Sequence, residues 1–376
     1  MSEWNPSIVK IEAVINHPDA NNLDIVKVLG DYPVITRRDS YKVGDLVSYI
    51  PIDSIVPNTE HFAFLSPRDF RQEEDQNGKV INIPIGPKYK AGEVPEKYRI
   101  IKAKKIRGVF SMGMIEPPIP GLVEGDSIVE SLDLKKWEEP EEDNINGPKL
   151  RGANAEKEPK HFQIPYYDIE SVRKYGYLLD AAEANPFKEQ EARGAKEVVL
   201  REKLHGCNFM ALHDEERLWV KSRNFFKKES EIDSWWEAAT NEGLKDKLAK
   251  YPFYAFFGEL IGLVKGFRYD TQIIDGKLKT KVKFFDIYDT KNKRYLDDAE
   301  FQRICDELNL DTAPVLYTGT WLGIDVMRKY AEGQSQLNVK HIREGFVVKP
   351  PVEEYSFKLQ GRLMLKLVGE AYSLSK

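Results

Sequence analysis

The chain has 376 residues, 41% of them hydrophobic and 31% charged, with a formal net charge of −5. That length exceeds one ordinary core, so two domains are expected, and the near-balanced charge leaves a nucleic-acid partner open because a local basic groove can hide in an acidic average. No apolar run approaches the roughly 18 residues that span a bilayer, the start MSEWNPSIVK has no secretory core, and Cys207 and Cys305 alone read as a reduced protein, cytoplasmic (or nuclear in a eukaryote) and not secreted.

Residues 8–57 alternate short apolar runs with turn chemistry. Ile8–Ile15, Leu23–Leu29, Val34–Thr36 and Leu46–Ile50 read as strands, separated by HPDANN, GDYP and KVGD. After a polar stretch at Ser66–Lys90, strand signals return at Ile100–Ile106, Val109–Ile115 and Ile128. Residues 1–134 are therefore expected to form an all-β domain, a five-stranded OB-type barrel with insertions. Lys102, Lys104, Lys105 and Arg107 make its most basic strand, either a solvated face or a contact for a phosphate backbone. Residues 135–160 are acidic and polar, with almost nothing apolar after Trp137, and read as a linker.

The second domain, residues 161–376, mixes strands with helices in an order that favours antiparallel sheets over a βαβ alternation, so its class is α+β. Helices are predicted at Ile169–Leu179 behind Asp168, at Lys188–Arg193, at Glu231–Lys250, at Asp298–Asn309 and at Met327–Tyr330. Strands are predicted at Met210–His213 and Arg217–Ser222 (a hairpin), Phe253–Leu260, Lys281–Tyr288, Gly345–Lys349 and Arg362–Val368. The stretch Val198–Met210 (VVLREKLHGCNFM) is an apolar strand start that runs into Lys203-Leu-His-Gly206. If it stays extended, Arg201, Lys203 and His205 share one face, and Gly206 lets backbone or ligand approach.

Five further segments follow in order: Lys221-Ser-Arg223-Asn224, Phe257-Gly-Glu259-Leu, Lys283-Phe-Phe285-Asp286-Ile, Arg343-Glu344-Gly-Phe-Val-Val-Lys349 and Arg362-Leu-Met-Leu-Lys366. Each alone is an ordinary strand. As an ordered set they resemble the covalent nucleotidyltransferase superfamily of ATP-dependent ligases and mRNA capping enzymes. KxHGxNF, with His205 and Asn208, is similar to RNA ligases that seal nicks, where DNA ligases and capping enzymes usually carry KxDG. The segments IKAKKIRGVFSMGM and GDSIVESLDLKKWEEP resemble the N-terminal OB module of one RNA ligase branch. With ten residues after Lys366, neither a C-terminal OB domain nor a large C-terminal RNA-ligase domain is expected.

The resemblance implies an adenylyltransferase domain of ATP-grasp-like ligase type, a Lys203 nucleophile that takes AMP from ATP, and Mg²⁺ or Mn²⁺ held by Glu259 and Glu344. It assigns Lys349 and Lys366 to the α-phosphate, Arg223 to phosphate or sugar, Phe285 to stacking on adenine, and Glu202 to the base or ribose. His205 and Asn208 serve the sealing steps. The implied partner is RNA, or an RNA-containing duplex, with 3′-OH and 5′-phosphate ends; a monomer without membrane contact is expected. A DNA ligase, a guanylyltransferase and a non-catalytic RNA-binding protein remain alternatives, the last because HPDANNLDIVKV also resembles tRNA-binding OB modules. Two features depart from the pattern. Glu344 and Lys349 are five apart, so a regular strand sends them to opposite faces unless it bends after Gly345, or Lys349 acts from another side or is structural. A single lysine occupies the last motif, where Arg362, four residues earlier, is expected on the same strand face as Lys366. Cys207 reads as a packing residue.

Overall fold

A computed structural model describes residues 4–74, 80–137, 154–180, 195–263, 269–274 and 277–375. The chain divides into two compact units, one within residues 3–139 and one within 140–375. The helix expected at Lys188–Arg193 and most of the expected linker lie outside the described residues. Among the described residues no helix is long and apolar enough to cross a membrane.

In the first unit, β1 (Ser7–Asn16), β2 (Leu23–Val28), β3 (Tyr32–Arg37), β4 (Leu46–Ile50) and β5 (Met114–Glu116) form one antiparallel sheet in the order β5-β4-β1-β2-β3. The segment leading into β5 also reaches β3, where the Met112 amide donates to the Pro33 carbonyl (2.7 Å), so the sheet nearly closes into an OB barrel. Strand alternation explains the filling: Val9 and Ile11 of β1 turn inward with Val26, Val28, Val34, Val47 and Ile115, whereas Ile8 turns to a second cluster with Ile50, Phe62 and Ile101.

Two expectations shift here. Ile100–Ile106 is not one strand: Ile100 makes a single antiparallel bridge to Ile55, and Lys104–Ile106 pairs with Val109–Ser111 through an Arg107-Gly108 turn at φ 44° and 86°. The barrel unit also runs past Leu134, because Lys135–Lys136 pairs with Ser54–Ile55.

Two large sheets make up most of the described part of the second unit. β6 (Glu197–Lys203) lies in a five-stranded sheet with β11 (Val315–Thr320), β12 (Gly345–Lys349) and β13 (Leu365–Val368). β7 (Cys207–His213), β8 (Leu218–Lys221), β9 (Tyr254–Ile261) and β10 (Lys281–Asp289) are the centre of a seven-stranded sheet. Its edge includes Ala155–Glu156, so this unit begins before residue 161.

The predicted 20-residue helix breaks in two, α1 (Ser234–Asn241) and α2 (Leu244–Leu248). Asp233 caps α1 by accepting the Trp235 and Trp236 amides, and Gly243 at φ 64° interrupts the run. α3 (Asp298–Glu307) matches the expected helix. Residues 169–179 give a short strand, Glu170–Ser171, and two single turns: Val172–Tyr175, capped by Ser171 and not by Asp168, and Tyr177–Asp180. Arg362–Val368 is broken as well: Gly361–Arg362 pairs separately with Tyr355–Ser356, and only Leu365–Val368 joins the sheet.

Candidate active site

The KLHG stretch is the crossover between the two sheets. β6 ends at Lys203, three residues change sheet, and β7 starts at Cys207. Leu204 anchors the step by burying among Ile261, Tyr269 and Ala313. Gly206 is demanded by space: a Cβ there would lie 2.4 Å from the Leu260 carbonyl oxygen and 2.9 Å from Glu259 Cγ. His205 donates its backbone N–H to the Tyr269 hydroxyl (2.7 Å), and its ring Nδ1 is hydrogen-bonded to the Tyr372 hydroxyl.

Carboxylates from both sheets meet at Lys203. Its Nζ donates to Glu344 Oε1 at 2.6 Å. Glu344 stands there because Gly345 is the residue paired with Lys203 across β6 and β12. Gly345 has φ 155°, and a Cβ would lie 2.0 Å from the Leu367 carbonyl oxygen. Gly345→Ala is therefore expected to lower stability by roughly 2–3 kcal/mol through overpacking and backbone strain, read as a lower Tm.

Glu259 comes from the other sheet, paired with Asn208 on one side and Lys283 on the other. Burial pushes its carboxyl up to about 8, opposed by Lys203 and reinforced by Glu344. Burial would depress the Lys203 ammonium, but Glu344 and Glu259 outweigh it and hold the group above its ordinary range. Among the described residues Glu344 Oε2 is buried without a hydrogen-bond partner. Two carboxylates, one with a spare buried oxygen, fit a hydrated divalent cation; no cluster of three ligands exists among the described residues, so water and substrate would supply the rest.

Lys366 pairs with Val347 across β12 and β13, and so shares the face of Lys203. Burial lowers its ammonium to about 8, with Lys203 adding repulsion. Arg223 sits in the turn after β8, and its Nε and Nη2 donate to the Tyr166 hydroxyl at 3.1 and 2.9 Å. Arg223, Tyr166, Asn208, Lys221, Phe225 and Phe257 line a pocket of about 350 Å³. Phe285 is half-buried, its ring 5.3 Å from that of Tyr167, in a bulge of β10 where Phe257 pairs with Asp286 and Gly258 with Phe284.

Three residues near Lys203 in sequence or motif are engaged away from its amine. Glu202 turns to the opposite face from Lys203, is 2% exposed, and accepts the Gln336 amide (2.8 Å). Arg201 does share the Lys203 face, but bonds the Ala313 carbonyl (3.1 Å) and Asp298 (2.9 Å) and stacks on Phe301 of α3, a packing role. Lys349 is opposite Val199, four residues or about 13 Å along the strand from the Lys203 pair. Its Nζ donates to Asp286 (3.2 Å) and Glu353 (2.9 Å). Asp286, fully buried, also accepts from Arg362 Nη1 (2.6 Å) and the Tyr167 hydroxyl (2.9 Å). Burial works against the Asp286 charge, but Arg362 and Lys349 hold its carboxyl below the usual range. Arg362 is thus committed to Asp286 and Glu353 and does not stand in for a second lysine beside Lys366.

Sequence reasoning gave no role to Tyr166, Tyr167, Tyr269, Tyr372 or Asp286. Asp286 lies in the Lys283-Phe-Phe-Asp-Ile segment, where an acidic residue in an apolar strand is itself a signal; the four tyrosines carry none.

The chain matches known proteins in both units. Residues 196–368 match the RNA ligase family, and residues 6–84 match an OB-fold domain family. No curated protein matches the sequence. Among solved structures, the fold is similar to that of Naegleria gruberi RNA ligase with PPi (21% identity, TM-score 0.70, covering 99% of this chain and 98% of that one). A mutant of that ligase with ATP and Mn is similar at 21% identity and TM-score 0.71, covering 100% and 99%. Another mutant, with AMP and Mn, is similar at 20% identity and TM-score 0.71, with the same coverage.

Proposed function

Since this chain carries an RNA ligase domain behind an OB-fold domain, we propose that it seals RNA ends bearing a 3′-OH and a 5′-phosphate, using ATP and a divalent cation, through a lysyl-AMP at Lys203. The substrate is a nick in a duplex with RNA on the 3′-OH side. The observation that carries this is Lys203 at a strand end, ion-paired to Glu344 and held beside Glu259 from the facing sheet.

In the first step Lys203 Nζ attacks the α-phosphorus of ATP. A P–N bond forms, the bond from the α-phosphorus to pyrophosphate breaks, and the amine gives up its proton. The AMP then passes to the 5′-phosphate, and the P–N bond breaks as a pyrophosphate linkage forms. Last, the 3′-OH attacks, the phosphodiester forms and AMP leaves. A cation between Glu259 and Glu344 would neutralise the carboxylates that keep Lys203 protonated and would polarise the phosphate. Lys366 supplies positive charge on the same face, Arg223 a guanidinium fork for phosphate or sugar, Phe285 a stacking surface, and His205 and Asn208 contacts to the end being sealed. The first unit supports RNA docking through a groove of about 950 Å³ lined by Arg37, Lys102 and Lys104 with Tyr41, Phe64 and Tyr98.

Incubation with labelled ATP, GTP or NAD, followed by sealing of nicks that differ in the sugar on each side, tests this function. Label from ATP alone and a requirement for ribose at the 3′-OH are expected. Label from GTP alone, or sealing indifferent to the sugar, would move the chain to the capping or DNA-ligase alternative.

Lys366 makes a pH prediction. Its folded pKa lies below its unfolded one, so between about 8 and 10.5 the unfolded chain binds the extra proton and this lysine adds stability as pH rises. Its charge toward phosphate runs the other way, present below about 8 and lost above. Affinity for an α,β-methylene analogue of ATP is expected to fall from pH 7 to 9 in the native chain and to stay flatter in Lys366→Arg, whose guanidinium remains charged.

A further inference from the structure

We propose that Tyr372 is a positioning residue for His205 in the sealing steps, its hydroxyl fixing the ring so that the imidazole acts through Nε2. The inference rests on the sealing role given above to His205. Tyr372 lies on α4 (Glu370–Ser375), is 1% exposed, and its hydroxyl is bonded to His205 Nδ1. The two rings are 5.6 Å apart at 55°, so the contact is an edge approach through the hydroxyl and not a stack.

The helix that delivers Tyr372 is fixed to the site itself. It follows directly on β13, which bears Lys366. The Gly369 amide donates to the Glu344 carbonyl (2.9 Å), and the Glu332 carboxylate accepts the first helical amide, that of Glu370 (2.6 Å). Gly369 has no room for a side chain, since a Cβ would lie 2.5 Å from the Ala331 carbonyl oxygen. From the other side, the Tyr269 hydroxyl takes the His205 backbone N–H (2.7 Å). His205 is therefore gripped at backbone and ring by two tyrosines from two separate segments, while Lys203, two residues earlier, is held by Glu344.

The chemical consequence concerns the tautomer. A neutral imidazole has one donor and one acceptor nitrogen, and the partner of one decides the state of the other. A phenol hydroxyl donates readily to Nδ1, which leaves the ring proton on Nε2. With Nδ1 committed to Tyr372, any contact of this ring with a phosphate runs through Nε2, and Nε2–H is the donor a phosphate oxygen accepts. Phenylalanine at 372 keeps the ring packing and removes only this control.

The test is a double-mutant cycle of Tyr372→Phe and His205→Ala, read by single-turnover sealing of a pre-adenylylated nick. Tyr372→Phe is expected to slow sealing roughly tenfold, with substrate KM within about twofold of native and lysyl-AMP labelling intact. It is expected to cost nothing further in the His205→Ala background, and the ¹⁵N-histidine spectrum to change from one tautomer to a mixture. Native sealing by Tyr372→Phe, or an equal loss in both backgrounds with a matching fall in Tm, overturns the positioning role while leaving that of His205. Native sealing by His205→Ala overturns the role of His205 and this inference with it.

Discussion

Lys203→Ala is expected to reduce covalent attachment of label from α-labelled ATP to background, with the protein still folded. The side chain is part-exposed and its ammonium is ion-paired with Glu344, so its removal breaks no core packing. The competing outcome is specific. Lys366 shares the same face, and burial has brought it down to about 8, so a larger fraction of it is neutral at pH 7–8 than of Lys203 in this carboxylate-paired state. A neutral amine is the nucleophile, so pKa alone would select Lys366. The geometry selects Lys203, because the two carboxylates that fit a cation lie against it. Peptide mapping of the labelled chain decides: label on Lys203 is expected, and label that survives Lys203→Ala and maps to Lys366 would falsify the assignment.

The second large effect is on stability. Asp286→Ala leaves Lys349 and Arg362 with Glu353 as their one shared carboxylate, two cations against one anion in a buried setting, and deletes an acceptor of the Tyr167 hydroxyl. Breaking a buried ion pair from one side costs roughly 3–5 kcal/mol, because the remaining charge is left uncompensated. For a unit of this size that corresponds to a fall in Tm of roughly 6–20 °C. Lys349→Met is expected to cost less, since Asp286 keeps Arg362 and Tyr167. The pair of variants also settles what Lys349 does. A structural tie predicts a lowered Tm with modest change in ATP binding; a phosphate ligand predicts lost ATP binding at an unchanged Tm. An Asp286→Ala protein that melts within a few degrees of native would overturn the structural account.

The strands of both units were legible because half-buried strands write their alternation into the chain. The runs at residues 8–15, 23–29 and 46–50, and those at 281–288 and 345–349, lie on observed strands. Helix limits were less legible. Glu231–Lys250 keeps helical spacing throughout, yet Gly243 at φ 64° ends the first helix. The strand expected at Arg362–Val368 fails because Arg362 is drawn to Asp286 and Glu353, and an ion pair formed across sequence distances of 76 and 9 residues has no local pattern. The tie of Lys349 to Asp286 was illegible for a similar reason: a lysine closing an apolar strand looks the same whether it meets a phosphate or a buried aspartate.

The amino-acid sequence by itself determined the two-part architecture, the strand pattern, and the ordered residues Lys203, Arg223, Glu259, Phe285, Glu344 and Lys366. These are local matters of periodicity and motif order, carried by residues close together along the chain. Tertiary structure alone decided which of them meet. It made KLHG a crossover between two sheets, with Gly206 demanded by the Leu260 carbonyl 2.4 Å from where a Cβ would stand. It turned Glu202 away from Lys203, tied Lys349 to Asp286, and brought Tyr372 to His205 across 167 residues. Each of those outcomes depends on sheet pairing and on where buried charges find partners, and neither is written in any short stretch of chain.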